Sequence, residues 1–258
     1  MGFKRLNHIL LTHGHLDHIL GLAGLMSTFM RWEAIDEVNI YGSRHTLDRV
    51  DDLVNGVVLR GTKPPMPINL LEIKPGLIFT AERFKITAFE VDHRGSDSLG
   101  FCFEEFPRRP FLPEKAEALE IPPGPWRKDL VAGKFISLPD GRTINPEDVL
   151  GPERVGTKLV VVGDVGKPHK LLEHICDADG LVIEATYIMN ESELASQFGH
   201  STAAEVANLA LEGHVKNLYL THISRRYRDQ DVKEEAEAIF PNSFVAHDFD
   251  VYQVRHED

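Results

Sequence analysis

One short segment limits this chain more than any other: Thr12-His13-Gly14-His15-Leu16-Asp17-His18. Residues 7–12 form an apolar run that reads as a strand, and residues 19–32 repeat apolar side chains at helical spacing. The three imidazoles and one carboxylate therefore lie on the loop leaving a strand, just before a helix. Imidazole nitrogen and carboxylate oxygen are ligands suited to zinc, and a glycine among them lets the backbone turn tightly enough for side chains to converge. A histidine-rich surface loop would have no need of this spacing.

Four ligand-type residues in one loop suggest two metals, which need further ligands from elsewhere. Three other apolar runs end in such residues: Val91-Asp92-His93, Val162-Gly163-Asp164 and Leu220-Thr221-His222. Taken singly, each reads as an ordinary solvated loop residue. Taken with the first loop, His93, Asp164 and His222 complete two sites at one sheet edge.

The remaining pattern supplies the scaffold. Strands are expected at 38–41, 69–73, 77–81, 84–91, 99–103, 158–163, 180–184, 217–220, 243–246 and 251–254, and helices at 46–58, 169–176, 202–212 and 229–240. The order runs from a β-rich block to βα alternation, which makes the class α/β or α+β with sheets covered by helices. Residues 104–157 differ: they are rich in proline and lack sustained periodicity, as expected of an inserted flexible arm within a single domain spanning 1–258.

Composition removes several alternatives. At 258 residues, 42% hydrophobic and 26% charged, the chain is an ordinary globular protein and neither disordered nor fibrous. A formal charge of −12 excludes a generally basic, DNA-coating surface. The two cysteines, Cys102 and Cys176, cannot build a disulfide framework, read as small buried apolar residues and fit a reducing cytoplasm. The opening Met1–Arg5 looks like a signal-peptide start, but the histidines and aspartate that follow are too costly for membrane insertion, so neither leader nor membrane span is expected.

The pattern His13-x-His15-x-Asp17-His18, with His93, Asp164 and His222 at later motif positions, resembles the metallo-β-lactamase superfamily. Within it, residues 181–187 (LVIEATY), His200-Ser201-Thr202, residues 220–227 (LTHISRRY), residues 121–125 (IPPGP) and residues 140–150 (DGRTINPEDVL) resemble the successive motifs of the ribonuclease Z family, the tRNA 3′-processing endonucleases. The resemblance covers nearly the whole chain. It departs at two places: only twelve residues precede His13, where the family has a Gly-rich segment and several strands, and Ile183 stands where His usually precedes the Glu184 motif.

The resemblance implies an αββα sandwich of metallo-β-lactamase type, short at its amino end, with a protruding proline-rich arm. It implies two zinc ions, with His13, His15 and His93 on one, Asp17, His18 and His222 on the other, and Asp164 between them. Asp17 would also orient the attacking water, and His200 backed by Glu184 would stabilise the phosphate and protonate the leaving 3′ oxygen. The substrate would be precursor tRNA, cut to leave a 3′ hydroxyl by a cytoplasmic homodimer with no membrane or DNA partner. Arg225 and Arg226 would contact RNA near the metals. The arm, with six basic and four acidic residues between 107 and 134 and with Arg127 and Lys128 at its centre, would grip the tRNA away from them. A hydrolase of small phosphodiesters or other esters is the alternative without a use for the arm. A truncated, inactive tRNA-binding protein is the alternative suggested by the short start, which is also expected to leave a sheet edge uncovered and so lower stability or cause self-association.

Overall fold

The computed structural model describes residues 6–32, 35–95 and 97–256, so the charged start 1–5 lies outside the described residues. The chain divides into two units, residues 1–104 with 158–255, and residues 105–157 with 256–258.

In the first unit, β1 (His8–Leu10) leads through the histidine loop into α1 (Leu16–Ile19) and α2 (Gly21–Trp32). Next come β2 (Val38–Gly42), α3 (Arg44–Asp51), a π-helical continuation at Asp52–Leu59, and β3 (Ile68–Glu72). The three strands form a parallel sheet in the order β1-β2-β3. Parallel neighbours need crossover connections, and the two helical stretches provide them. Ile19, Leu22, Met26 and Phe29 recur on one helical face and are buried with Val38, Ile40, Val50 and Val54. Ser43 caps α3, its hydroxyl accepting from the Thr46 amide. The single helix expected at 46–58 is thus an α-helix that widens into a π-helix over its second half.

The chain continues through β4 (Gly76–Thr80), β5 (Phe84–Val91) and β6 (Ser98–Glu105), then enters the second unit. This holds α4 (Pro113–Ala118), α5 (Pro125–Val131), a hairpin of β7 (Ile136–Ser137) and β8 (Thr143–Ile144), and α6 (Pro146–Val149). Each of its helices starts with proline in its first turn, where the missing N–H costs nothing. The prolines therefore open helices here, and the stretch has its own core of Ala116, Ile121, Leu130, Ile136, Leu138, Ile144, Val149 and Leu150. It is a small folded unit where the sequence pattern suggested an irregular excursion.

Back in the first unit follow β9 (Lys158–Val161), α7 (Leu172–Ile175) after a 3₁₀ turn, β10 (Gly180–Glu184), α8 (Ser192–Phe198) and α9 (Ala203–Glu212). The last elements are β11 (Leu218–Thr221), α10 (Asp229–Glu237) and β12 (Ser243–Val245). The second sheet has seven strands in the order β12-β11-β10-β9-β6-β5-β4, with β9 to β12 parallel. Leu10, Ile73, Ile78, Ala88, Leu99, Phe101 and Phe103 pack between the two sheets. The other face of the larger sheet is covered by α9 and α10 through Val206, Leu209, Val232 and Ala236. Two facing sheets with helices outside make the αββα layering.

Two expectations fail locally. Residues 251–254 form no strand: the carboxylate of Asp250 caps the His247 amide, and Phe249 adopts a left-handed φ of 71°, which turns the chain off the line of β12. Cys176 is only half-buried, whereas Cys102 is buried. Among the described residues no helix is long and apolar enough to cross a membrane.

Candidate metal centre

Each site residue follows the carboxyl end of a strand. The loop after β1 carries His13, His15, Asp17 and His18; β5 is followed by His93, β9 by Asp164 and β11 by His222, while β10 ends on Glu184. The loops after β1 and β9 touch, since a Cβ on Gly163 would stand 2.7 Å from Thr12 Oγ1; only glycine permits this approach.

The structure brings all seven expected ligands together. His13, His15, His93 and Asp164 form one group and Asp17, His18 and His222 another, each with ligand atoms within 4.8 Å of one another. Asp164 stands between them. Its Oδ2 lies 3.7 Å from Nε2 of both His13 and His93, while its Oδ1 lies 3.2 Å from His18 Nε2 and 3.6 Å from His222 Nε2. Asp17 Oδ2 is 3.3 Å from His222 Nε2, joining positions 205 residues apart.

Three features fit this donor set to metal ions. Buried polar atoms almost always have partners, yet His18 Nε2 and Asp164 Oδ1 have no hydrogen bond. His13 Nε2 and His93 Nε2 both face His15 Nδ1, at 3.0 and 3.3 Å, so three nitrogens converge where protons alone satisfy them poorly. Protonation states also suit ligation. Burial, helped by the neighbouring His18, pushes His13 down to about 3, and burial likewise lowers His93. Burial works against ionising Asp164, but the adjacent His18, with His222 and His13, holds its carboxyl well below the usual carboxylate range. Neutral His13 and His93 beside an ionised Asp164 are forms that bind a cation, whereas at His18 burial is outweighed by Asp164 and Asp17, which raise it above the ordinary imidazole value.

The ligand imidazoles are held from behind. His93 Nδ1 lies 2.7 Å from the Gly199 carbonyl and His13 Nδ1 lies 3.2 Å from Thr12 Oγ1. Glu184 is fully buried; its Oε1 accepts from the Val165 amide at 2.6 Å, and both its oxygens lie 3.0 Å from His200 Nδ1. Burial alone would depress His200, yet hydrogen bonding to Glu184, with the Glu184 and Asp164 charges, raises it above the ordinary imidazole value. His200 Nδ1 is 3.9 Å from Asp164 Oδ2, which places the His200–Glu184 pair at the edge of the ligand cluster.

Sequence reasoning did not single out Thr186. Its buried hydroxyl bonds to Glu184 Oε2 and lies 2.8 Å from His222 Nδ1 and 2.9 Å from the His222 carbonyl. A threonine two residues after a strand-end glutamate carries no signal of its own; only the parallel pairing of β10 with β11, Glu184 opposite Thr221, reveals it.

The basic residues divide. Arg226 pairs with Glu191 at 3.0 Å and Arg228 with Asp231 at 2.5 Å, while Arg225 is exposed. In the second unit Arg127 donates through Nε and Nη2 to the Ile121 carbonyl and stacks over Phe111, so it braces that unit's core; Lys128 is exposed.

Two clustered ligand groups bridged by one aspartate, at the strand ends of an αββα sandwich, define a metal-dependent hydrolase of the metallo-β-lactamase fold. A family model described as the beta-lactamase superfamily domain matches residues 2–112. Ribonuclease Z of Bradyrhizobium sp. (strain ORS 278) is 47% identical over 249 residues, covering 96% of this chain and 82% of that protein. Ribonuclease Z of Listeria innocua is 37% identical, covering 97% and 82%. The crystal structure of human tRNase Z, short form, superposes with a TM-score of 0.62 at 22% identity, covering 98% of this chain and 81% of that one. The chain belongs to the ribonuclease Z family.

Proposed function

We propose that this endoribonuclease removes the 3′ trailer from precursor tRNA, leaving a 3′ hydroxyl, and that it works with two zinc ions in the cytoplasm as a homodimer. The observation that carries the reading is the His200–Glu184 pair, set 3.9 Å from the aspartate shared by both ligand groups. His13, His15 and His93 would hold one zinc, Asp17, His18 and His222 the other, with Asp164 serving both. When bound, the ions would acidify water and offset the negative charge that develops on the phosphate.

The remaining chemistry belongs to the chain. Glu184 engages His200 through Nδ1, which fixes the ring and leaves Nε2 for the substrate. The raised pKa keeps His200 protonated nearer neutrality, so Nε2–H can hydrogen-bond a phosphate oxygen and then supply the proton needed by the departing 3′ oxygen. Asp17, largely exposed at the rim, would orient the attacking water. Arg225 and Arg226 would contact RNA beside the site, Arg226 after leaving Glu191. Residues 105–157 would bind the tRNA body, with Lys128 as a direct contact and Arg127 as a brace.

Incubating the purified 258-residue chain with a 3′-extended precursor tRNA tests this. Cleavage at the acceptor-stem boundary, lost on chelation and restored by zinc, is expected. Turnover of small phosphodiesters with no action on precursor tRNA would favour the small-ester hydrolase instead.

A further inference from the structure

Arg94 directly follows the ligand His93, and four observations set it apart. Its backbone is left-handed, with φ 49°, which is uncommon for a long side chain and marks a conformation that the surroundings impose. Its stem lies in a notch: a Cβ on Gly199 would stand 2.5 Å from Arg94 Cγ, so only a glycine leaves room for it. Gly199 also supplies the carbonyl that His93 Nδ1 contacts, and it precedes His200. The head is exposed and, among the described residues, has no ion pair, whereas Arg226 and Arg228 nearby are both paired.

A guanidinium that is fixed at its stem and unpaired at its head suits a planar anion with several acceptor oxygens. Arg225, three residues after the ligand His222, is also exposed.

We propose that Arg94 binds a non-scissile backbone phosphate of the RNA, next to the scissile one, on the side of the centre formed by His13, His15 and His93. The inference rests on the reading of the site as a tRNA 3′-processing centre. Because Arg94 neither ligates metal nor transfers a proton, its loss should act on RNA affinity and leave chemistry on a minimal ester alone.

The test compares wild type, Arg94→Gln and Arg94→Lys, each checked for metal content. Precursor tRNAs carry a single neutral methylphosphonate at each position flanking the cleavage site. Arg94→Gln is expected to raise KM for the precursor roughly ten-fold with kcat and small-phosphodiester turnover unchanged, and to reduce the salt slope of binding by about 0.7. One methylphosphonate position should weaken wild type and leave Arg94→Gln unaffected, and Arg94→Lys should recover part of the affinity. Equal sensitivity of wild type and Arg94→Gln at every position, or unchanged KM, overturns the assignment while precursor cleavage still stands. A wild-type chain that neither binds nor cuts the precursor overturns the functional reading, and this inference with it.

Discussion

Thr186 Oγ1 lies 2.8 Å from Nδ1 of His222 and bonds at the same time to the carboxylate of Glu184. His222 turns Nε2 toward Asp17 and Asp164, so a neutral, metal-binding ring must carry its proton on Nδ1 and needs an acceptor there. The threonine hydroxyl accepts that proton's hydrogen bond and passes its own to Glu184, which also holds His200. One buried carboxylate thereby orients His222 and His200 together. Thr186→Val keeps the shape and removes the acceptor, so affinity for one of the two zinc ions should fall about 10–100-fold, with Thr186→Ser close to wild type. Chelator competition measures this; equal affinity in the valine variant would remove the hydroxyl from the account.

His200→Ala should lower turnover of precursor tRNA and of a small chromogenic phosphodiester alike, by roughly 10²–10⁴-fold, with bound zinc unchanged. Glu184→Gln keeps the shape but weakens the hold on His200, so a smaller loss is expected. Elemental analysis beside the kinetics separates these effects from loss of metal; a His200→Ala protein that cleaves normally would show the proton comes from elsewhere.

Zinc should be present at about two equivalents per chain, and stripping it should lower the melting temperature, because an ion bound only by the folded form stabilises it by about 2.7 kcal/mol at a hundred times its Kd. His18 Nε2 and Asp164 Oδ1, buried without a hydrogen bond, are the atoms the ions would satisfy. A metal-free protein with the same melting temperature would contradict this.

The second unit can be excised cleanly, since the Glu105 amide donates to the Thr157 carbonyl at 2.9 Å and the cut ends are adjacent. Replacing 106–156 by a short turn should weaken tRNA processing and spare hydrolysis of the small ester. Equal losses on both substrates would assign the unit to stability. Removing only 107–134 is a poorer test, because it divides a core that includes Leu130 and Ile144.

His247 provides a pH-dependent contact away from the metals. Its Nε2 is 2.8 Å from Asp229 and its Nδ1 3.3 Å from Asp250, and these hydrogen bonds raise it above the ordinary imidazole value. A raised folded value means the contribution is complete below the unfolded pKa and fades as pH rises through the folded one. Asp229→Asn should shift the His247 NMR titration midpoint downward; an unmoved midpoint would show that Asp229 is not its partner in solution.

The clustering of the site residues was legible because each ends an apolar run, and in parallel strands such ends gather at one edge: His93, Asp164 and His222 needed no more than that to be placed together. Thr186 was not, since its role depends on which strand lies beside β10. The helices of the second unit were not legible because they are too short to show periodicity, although Pro113, Pro125 and Pro146 in a first turn pre-set the helical φ. The bond from the Arg127 guanidinium to the Ile121 carbonyl was not legible either, because it depends on how residues 121–127 turn.

Asp17 and His222 almost touch, yet 205 positions separate them. A ribosome adding roughly 5–20 residues per second therefore makes the first loop ten seconds or more before its last counterpart exists. Throughout that interval the growing chain carries Asp17 without the histidine that stands beside it in the fold. With the metal centre proposed above, the far-flung set would act as a timer on a nuclease born among tRNAs: no complete centre exists until His222 has been made.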